Sequence, residues 1–454
     1  MRFEGNHVGG RPWPVLCHAS VSVPAPSGPP CVRSAARALW VVTGLLMALA
    51  AQTTERARAQ PPPPNAVGAD MARLRALLPA ERELLMPHLD DGPVMLTEFS
   101  NEQTELPAVT LMARVHAPAA VVAEVVSHPE NYGAFMPALD EVEVHTRQGL
   151  QVAYSWHWTV AIFTLRGDNV MTVYPGHPTR GHLIEVTSTN GDLGVGRFLF
   201  RIYPETPDSC VLVFATRIDM RDANYLSQQM ASGGNSVNRT INIALAMTML
   251  LATIDEAQRQ VGYTAPPATP RPLVRPSFEV DRYADLLGRG DLVFLHLEGN
   301  DLHGVSSLAR SGTSVERMRR IMVSPEEFGE SLMEGSRSHT IEVTEQGTRF
   351  GWIIPVPLVS VGGEMMLRET EPGGAIEVDG LSGSLSSALF RFDTHAFPWR
   401  EAAIVGWSRF DPGETTRLVR RVIDGNAYFS HGLVAAVQVM IIRSLRTRSQ
   451  RMPY

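Results

Sequence analysis

Three short segments recur in the same order in the two halves of the chain. Ile184-Glu185-Val186, Phe200-Arg201-Ile202 and Arg217-Ile218-Asp219 return as Ile376-Glu377-Val378, Phe390-Arg391-Phe392 and Arg409-Phe410-Asp411, at separations of 192, 190 and 192 residues. Further upstream, Glu143-Val144 with Gln148-Gly149 matches Glu342-Val343 with Gln346-Gly347, and Ala117-Pro118 matches Ser324-Pro325. A two-residue change in separation that is at once recovered is what a turn of different length leaves. Ordered agreement of five segments implies an internal repeat, which constrains the fold more than any single motif does.

Proline marks the boundaries. Pro61 to Pro64 and the stretch APPATPRPLVRP (Ala265 to Pro276) continue neither a helix nor a central strand. The expected organisation is a leader over 1–59, a Pro-rich linker over 60–70, and a first domain with an N-terminal helical extension over 71–262. A second linker over 263–290 and a second, divergent domain over 291–450 follow.

Within the first copy, Leu111 to His116 reads as a strand, and Pro118 opens a short helix that stops before Pro129. Strand-like runs follow at 142–144, 152–160, 169–174, 183–187, 197–203 and 211–220, with Asn190-Gly191 in a connecting turn. A long helix closes the copy over about 236–260. The second copy shows a helix near 326–333, strands between 340 and 410, and a closing helix over about 425–446.

The expected class is therefore α+β, two tandem domains each with a curved antiparallel sheet wrapped around a long C-terminal helix. With Val115-His116-Ala117-Pro118-Ala119, His128-Pro129-Glu130-Asn131-Tyr132 and Phe135-Met136-Pro137, the chain resembles the START, polyketide-cyclase and pollen-allergen (SRPBCC, helix-grip) superfamily. Its nearest likeness is to the ubiquinone-binding and cyclase branches. The second copy keeps Val323-Ser324-Pro325 and loses the Pro-Glu-Asn-Tyr stretch. The resemblance implies a ligand enclosed between the concave sheet face and the long helix. That superfamily includes lipid carriers, hormone receptors and a few enzymes, so fold alone does not choose among them.

The long helices suit such a role. Ile243 to Ala252 is interrupted only by Thr248 and Leu433 to Ile442 only by Gln438, a wider apolar surface than one stripe requires. Burial between sheet and neighbour explains that pattern nearly as well. Alternation along 152–160 puts Tyr154, Trp156 and Trp158 on one face and Ser155, His157 and Thr159 on the other. The expected ligand-binding residues are Tyr154, Trp156, Trp158, Phe200, Phe214, Met247 and Leu250 in the first copy, with Trp352, Phe390 and Met440 in the second. An aromatic core is the equally weighted alternative. In the second copy the corresponding strand is expected to break at Pro355 and Pro357.

The repeated charges invite a catalytic reading that the pleat undercuts. With Ile184, Val186, Phe200 and Ile202 inward, Glu185 and Arg201 face out and suit a cross-strand ion pair, as do Glu377 and Arg391. Gly194-Val195-Gly196 lacks the helix that phosphate binding needs, and no His cluster has zinc spacing. No metal or cofactor is expected. Cys210, on the edge of a turn, is read as structural.

The apolar run Leu39 to Ala51, after Arg33 and Arg37 and before Ala57-Arg58-Ala59, reads as a signal peptide cleaved after Ala59. The alternative is an uncleaved anchor. The expected location is periplasmic or secreted. A formal net charge of −7 argues against nucleic acid as a partner. Arg443, Arg446, Arg448 and Arg451 suit peripheral contact with anionic lipid, and suit a helix C-terminus better.

The leading expectation is an exported carrier or sensor of a lipid, isoprenoid quinone or polyaromatic compound. Two alternatives stand beside it. One is a cyclase or aromatase type of enzyme, which requires His157, Tyr154 or Arg166 to converge in the cavity. The other is a scaffold with filled cavities, whose protein partner the sequence does not name.

Overall fold

A computed structural model describes residues 74, 77–99, 108–160, 163–192, 194–219, 235–265, 278–332, 335–356, 359–414, 420 and 426–451. The expected leader and first linker lie outside the described residues. Those described belong to one compact unit, Pro61–Tyr454.

Each copy has the same element order. A helix, α1 (Pro79–Leu85), precedes the first copy. Strands β1 (Val94–Glu98) and β2 (Val109–Val115) lead to α2 (Ala119–Ser127) and a 3-10 turn over Pro129–Ala134. Six antiparallel strands follow: β3 (Leu139–Gln148), β4 (Gln151–Val160), β5 (Phe163–Val173), β6 (His182–Gly191), β7 (Val195–Thr206) and β8 (Ser209–Asp219). Helix α3 (Asn235–Gln260) closes the copy. A short helix, α4 (Ala284–Arg289), introduces the second. It runs through β9 (Gly290–Glu298), β10 (Asp301–Arg310), α5 (Val315–Met322) and α6 (Pro325–Glu330). Then come β11 (Arg337–Thr344), β12 (Gly347–Val356), β13 (Val359–Glu369), β14 (Ile376–Gly383), β15 (Leu389–Phe397), β16 (Glu401–Arg409) and α7 (Ala427–Arg451). The start of α2 directly after Pro118 fits proline's fixed φ.

The strands form one sheet in the order β11-β12-β13-β14-β15-β16-β10-β9-β1-β2-β8-β7-β6-β5-β4-β3. The copies therefore join edge to edge through β1 and β9. Val94 pairs with Met112 in one copy as Leu292 pairs with Leu308 in the other, so Met95 and Val293 are equivalent. Met95 also faces Val293 across the junction, with Val94 opposite Phe294 and Leu96 opposite Leu292. The pairing thus mirrors itself about the Met95–Val293 pair.

The ladders correct the alignment read from sequence. Val109 matches Val305, Tyr154 matches Phe350 and Asn169 matches Met365. Val186 matches Val378, Phe198 matches Phe390 and Thr216 matches Ser408. The separation is constant from β2 to β5 and again, four residues shorter, from β6 to β8. The difference falls in the β5–β6 connection, not between β6 and β7. Phe390 stands where Phe198 does, and Phe392 where Phe200 does. Ser324-Pro325 takes the place of His128-Pro129, so the stretch counted as lost from the second copy is present as Pro325-Glu326-Glu327-Phe328. Likewise Glu143-Val144 is not the counterpart of Glu342-Val343, because Val144 pairs with Tyr154 as Thr340 pairs with Phe350. Strand β12 runs through Pro355, which pairs with Ser360 of β13, and Pro357 lies outside the described residues.

The two long helices lie against the concave face and each other. A Cβ on Gly432 of α7 would fall 2.5 Å from the Ala244 Cα of α3, so only glycine lets them approach this closely. Helix α7 has the length and apolarity of a membrane span, but 67% of that span is buried inside the fold.

The other side of the central strands carries a smaller core, including Leu85, Leu89, Val280, Tyr283, Leu286 and Leu287. The last part of the expected second linker, 278–289, is thus folded and packed. At the junction Asp291 is fully buried and meets Arg443 Nε at 2.7 Å and Arg446. Arg443 also donates to the Thr97 carbonyl, 3.0 Å. Arg448 pairs with Glu327 and Glu330. Three of the four arginines proposed for lipid contact are therefore engaged within the protein.

Candidate functional site

Register assembles the site. Tyr154 of β4 lies opposite Asn169 of β5, Asn169 opposite Ser188 of β6, Ser188 opposite Gly196 of β7, and Gly196 opposite Ile218 of β8. Directly opposed residues in an antiparallel sheet project to the same face. Tyrosine, asparagine and serine therefore make one polar row across the concave face. It lies along a cavity of about 130 Å³.

Around the row the walls are mostly apolar, with Asn242 and Thr248 of α3 the polar residues on the helix side. Trp156 lies over Gly167, its ladder partner, where a Cβ would come 2.8 Å from Trp156 Cζ2. Trp158 is fixed by its Nε1 donating to the Pro137 carbonyl, 3.1 Å. Tyr132 and Met136 close one side, and Leu245, Ala246 and Met249 of α3 close another. No charged residue is among the described residues that line the space. Such a lining favours a neutral, largely apolar occupant.

The polar groups are few and deep. Asn169 Nδ2 donates to Tyr154 Oη at 3.0 Å. Burial pushes the Tyr154 phenol up to about 12 and the Tyr132 phenol well above its ordinary value, so both stay protonated. Asn169 Oδ1 and Thr216 Oγ1 are buried without a hydrogen-bond partner in the protein.

Of the residues expected from sequence, Tyr154, Trp156, Trp158 and Phe200 line the cavity. Phe214 sits behind, its ring centroid 4.6 Å from that of Phe200. Met247 and Leu250 are fully buried in the core, and Met249 takes the lining position instead. A helix that is apolar all round does not reveal which methionine faces the sheet. Trp352 and Phe390 are buried in the main core, which runs through both copies, and Met440 is half-buried on α7. Sequence reasoning missed Asn169, Ser188, Thr216 and Tyr132. The signal lay in register, since the four stand on four separate elements. The residues required for a catalytic reading do not converge: His157 points to Glu141 at 3.3 Å on the outer face, and Arg166 is exposed. Glu377 and Arg391 form the expected cross-strand pair, 3.0 Å. In the first copy Glu185 faces Leu199 and accepts instead from Tyr174, 3.0 Å.

The second copy repeats the scaffold without the polar row. Trp352 lies opposite Gly363 as Trp156 lies opposite Gly167. Phe350, Met365 and Gly380 stand for Tyr154, Asn169 and Ser188, and Phe328 stands for Tyr132. Phe328, Phe350 and Phe392 are fully buried, with Phe328 5.7 Å from Phe392.

Residues 115–225 match the family model for polyketide cyclase / dehydrase and lipid transport. No curated protein matches the chain. Similar solved structures include an aromatase/cyclase from Streptomyces sp. R1128, with 20% identity over 34% of this chain and 94% of its own, TM-score 0.29. A di-domain aromatase/cyclase of the steffimycin biosynthetic pathway is 12% identical over 72% of this chain and 97% of its own, TM-score 0.26. A STAR-related lipid transfer protein from Xanthomonas axonopodis is 13% identical over 36% and 92%, TM-score 0.29. The helix-grip resemblance read from the sequence is borne out by the match of residues 115–225 to that family model.

Proposed function

We propose that this chain, whose residues 115–225 match the polyketide cyclase / dehydrase and lipid transport family model, is an exported carrier or sensor that encloses one apolar small molecule in its first domain. The observation that carries the reading is the uncharged aromatic cavity between β4–β8 and α3. Among the described lining residues, none is an acid or base that titrates near neutral pH, which favours holding a ligand over moving protons. The compounds in view are a lipid, an isoprenoid quinone or a polyaromatic molecule. Export rests on the apolar run Leu39 to Ala51 behind two arginines.

The test is native mass spectrometry of the chain purified from its own host, followed by organic extraction of whatever it releases. A reproducible apolar compound supports the carrier. An empty chain that also refuses a panel of apolar probes overturns it in favour of a scaffold. N-terminal sequencing of the same material checks the expected start at Gln60.

A further inference from the structure

The cavity's polar groups are not needed to build the sheet. The second copy lays down the same strands, with the register shift at the same step, after Glu364 in one copy and Asp168 in the other. It does so with Phe350, Met365 and Gly380 in the row. In the first copy Asn169 is only 8% exposed, yet its Oδ1 has no partner inside the protein, whereas its counterpart Met365 carries no such acceptor. A buried acceptor left bare is costly, so an occupant that supplies a donor is favoured there.

What the Tyr154–Asn169 pair offers is independent of how the amide is turned. With Asn169 donating one amide proton to Tyr154, the phenol proton, the other amide proton and the amide oxygen remain. With the amide reversed, both amide protons and a phenol lone pair remain. Either way donor and acceptor are left side by side. A hydroxyl satisfies both with a single oxygen. A ketone, ether or ester accepts only and leaves the acceptor bare, and a hydrocarbon leaves both.

Resting on the reading that this cavity holds an apolar molecule, we infer that Tyr154 and Asn169 select apolar ligands that carry a hydroxyl, alcohol or phenol. That hydroxyl accepts from one of the two residues and donates to the other. Ser188 is the next polar contact along the row and Thr216 lies in the adjacent one, so a second oxygen on the same edge of the ligand is also accommodated. The second copy, with Phe350, Met365 and Gly380 in this row, lacks the pair that makes the choice.

Three flat probes of nearly one shape separate the possibilities: fluorenol, fluorenone and fluorene, titrated into the full chain and followed by tryptophan fluorescence. Fluorenol is expected to bind about tenfold more tightly than fluorenone. In Asn169→Leu and Tyr154→Phe that ratio is expected to fall to about twofold. Equal affinities for fluorenol and fluorenone in the parent protein overturn the selection while leaving the cavity reading intact. Such a result means that a retained water, not the ligand, meets the row. If none of the three binds and the organic extract is empty, the reading beneath it falls too. The parent comparison decides by itself should a variant fail to fold.

Discussion

Tyr154 and Phe350 hold the same ladder position in the two copies, and each is met edge-on by a ring from the preceding helical turn. The partners are Tyr132 at 6.5 Å and 84°, and Phe328 at 6.4 Å and 81°. One geometry is thus built twice, once with hydroxyls and once without. The copies share a scaffold and differ in what they offer a ligand.

Tyr154→Phe leaves the buried Asn169 amide without its partner, at a cost of about 1–3 kcal/mol. Tyr154→Phe combined with Asn169→Met copies the second domain and should return to within about 1 kcal/mol of the parent. Urea denaturation with an unchanged m-value checks both. Two single losses that simply add would show that the residues are not coupled.

Gly167→Ala places a methyl against the Trp156 indole and the Asn190 carbonyl, 2.8 and 2.9 Å away. The indole must swing toward the cavity. The expected results are a loss of about 1–3 kcal/mol from overpacking and weaker uptake of any aromatic probe. Unchanged affinity would mean that Trp156 does not form part of the occupied wall.

Burial alone would raise the Asp291 carboxyl, but the Arg446 and Arg443 guanidiniums outweigh it and hold the group below the usual carboxylate range. A folded value below the unfolded one gives stability that is full above about pH 4 and is lost as pH falls through the folded value. Asp291→Asn strands two arginines and should cost about 3–5 kcal/mol at neutral pH. It should also flatten the acid limb of an unfolding-midpoint series, which is the measurement that isolates this residue.

His88 donates to or accepts from Tyr283 Oη at 2.7 Å, and His296 does the same with Ser306 Oγ at 2.7 Å. Burial lowers both imidazoles. A His held below its unfolded value contributes stability that is whole above about pH 6.5 and is lost as pH falls toward the folded value. The thermal midpoint should therefore drop between pH 7.5 and 5.5. In His88→Gln with His296→Gln that drop should shrink. An equal drop in the variant would place the acid sensitivity elsewhere.

Much of this molecule could be read from its residues, and the failures are instructive. Pro118, Pro129 and the wide apolar faces at 243–252 and 433–442 located helices to within a few residues, because proline and periodicity act locally. The closing helix runs five residues beyond its expected end at Arg446, and within that extension Arg448 meets Glu327 and Glu330. Strands β1, β9 and β10 were missed. Buried on both faces, they lack the alternation that marks a half-solvated strand. The repeat was real, but Phe200 was matched to Phe390 because triplet identity outweighed a ladder invisible in one dimension. For the same reason the Tyr154–Asn169–Ser188 row could not be seen: each member is unremarkable on its own strand, and only pairing brings them together.

The self-mirrored pairing of β1 with β9 about Met95 and Val293 has the form of a homodimer interface written into one polypeptide. A single copy with the Val94–Glu98 edge bare offers that edge to another copy of itself, edge to edge. Tandem fusion makes that partnership permanent and independent of concentration. The two copies need not carry the same row, and Phe350, Met365 and Gly380 stand where Tyr154, Asn169 and Ser188 do.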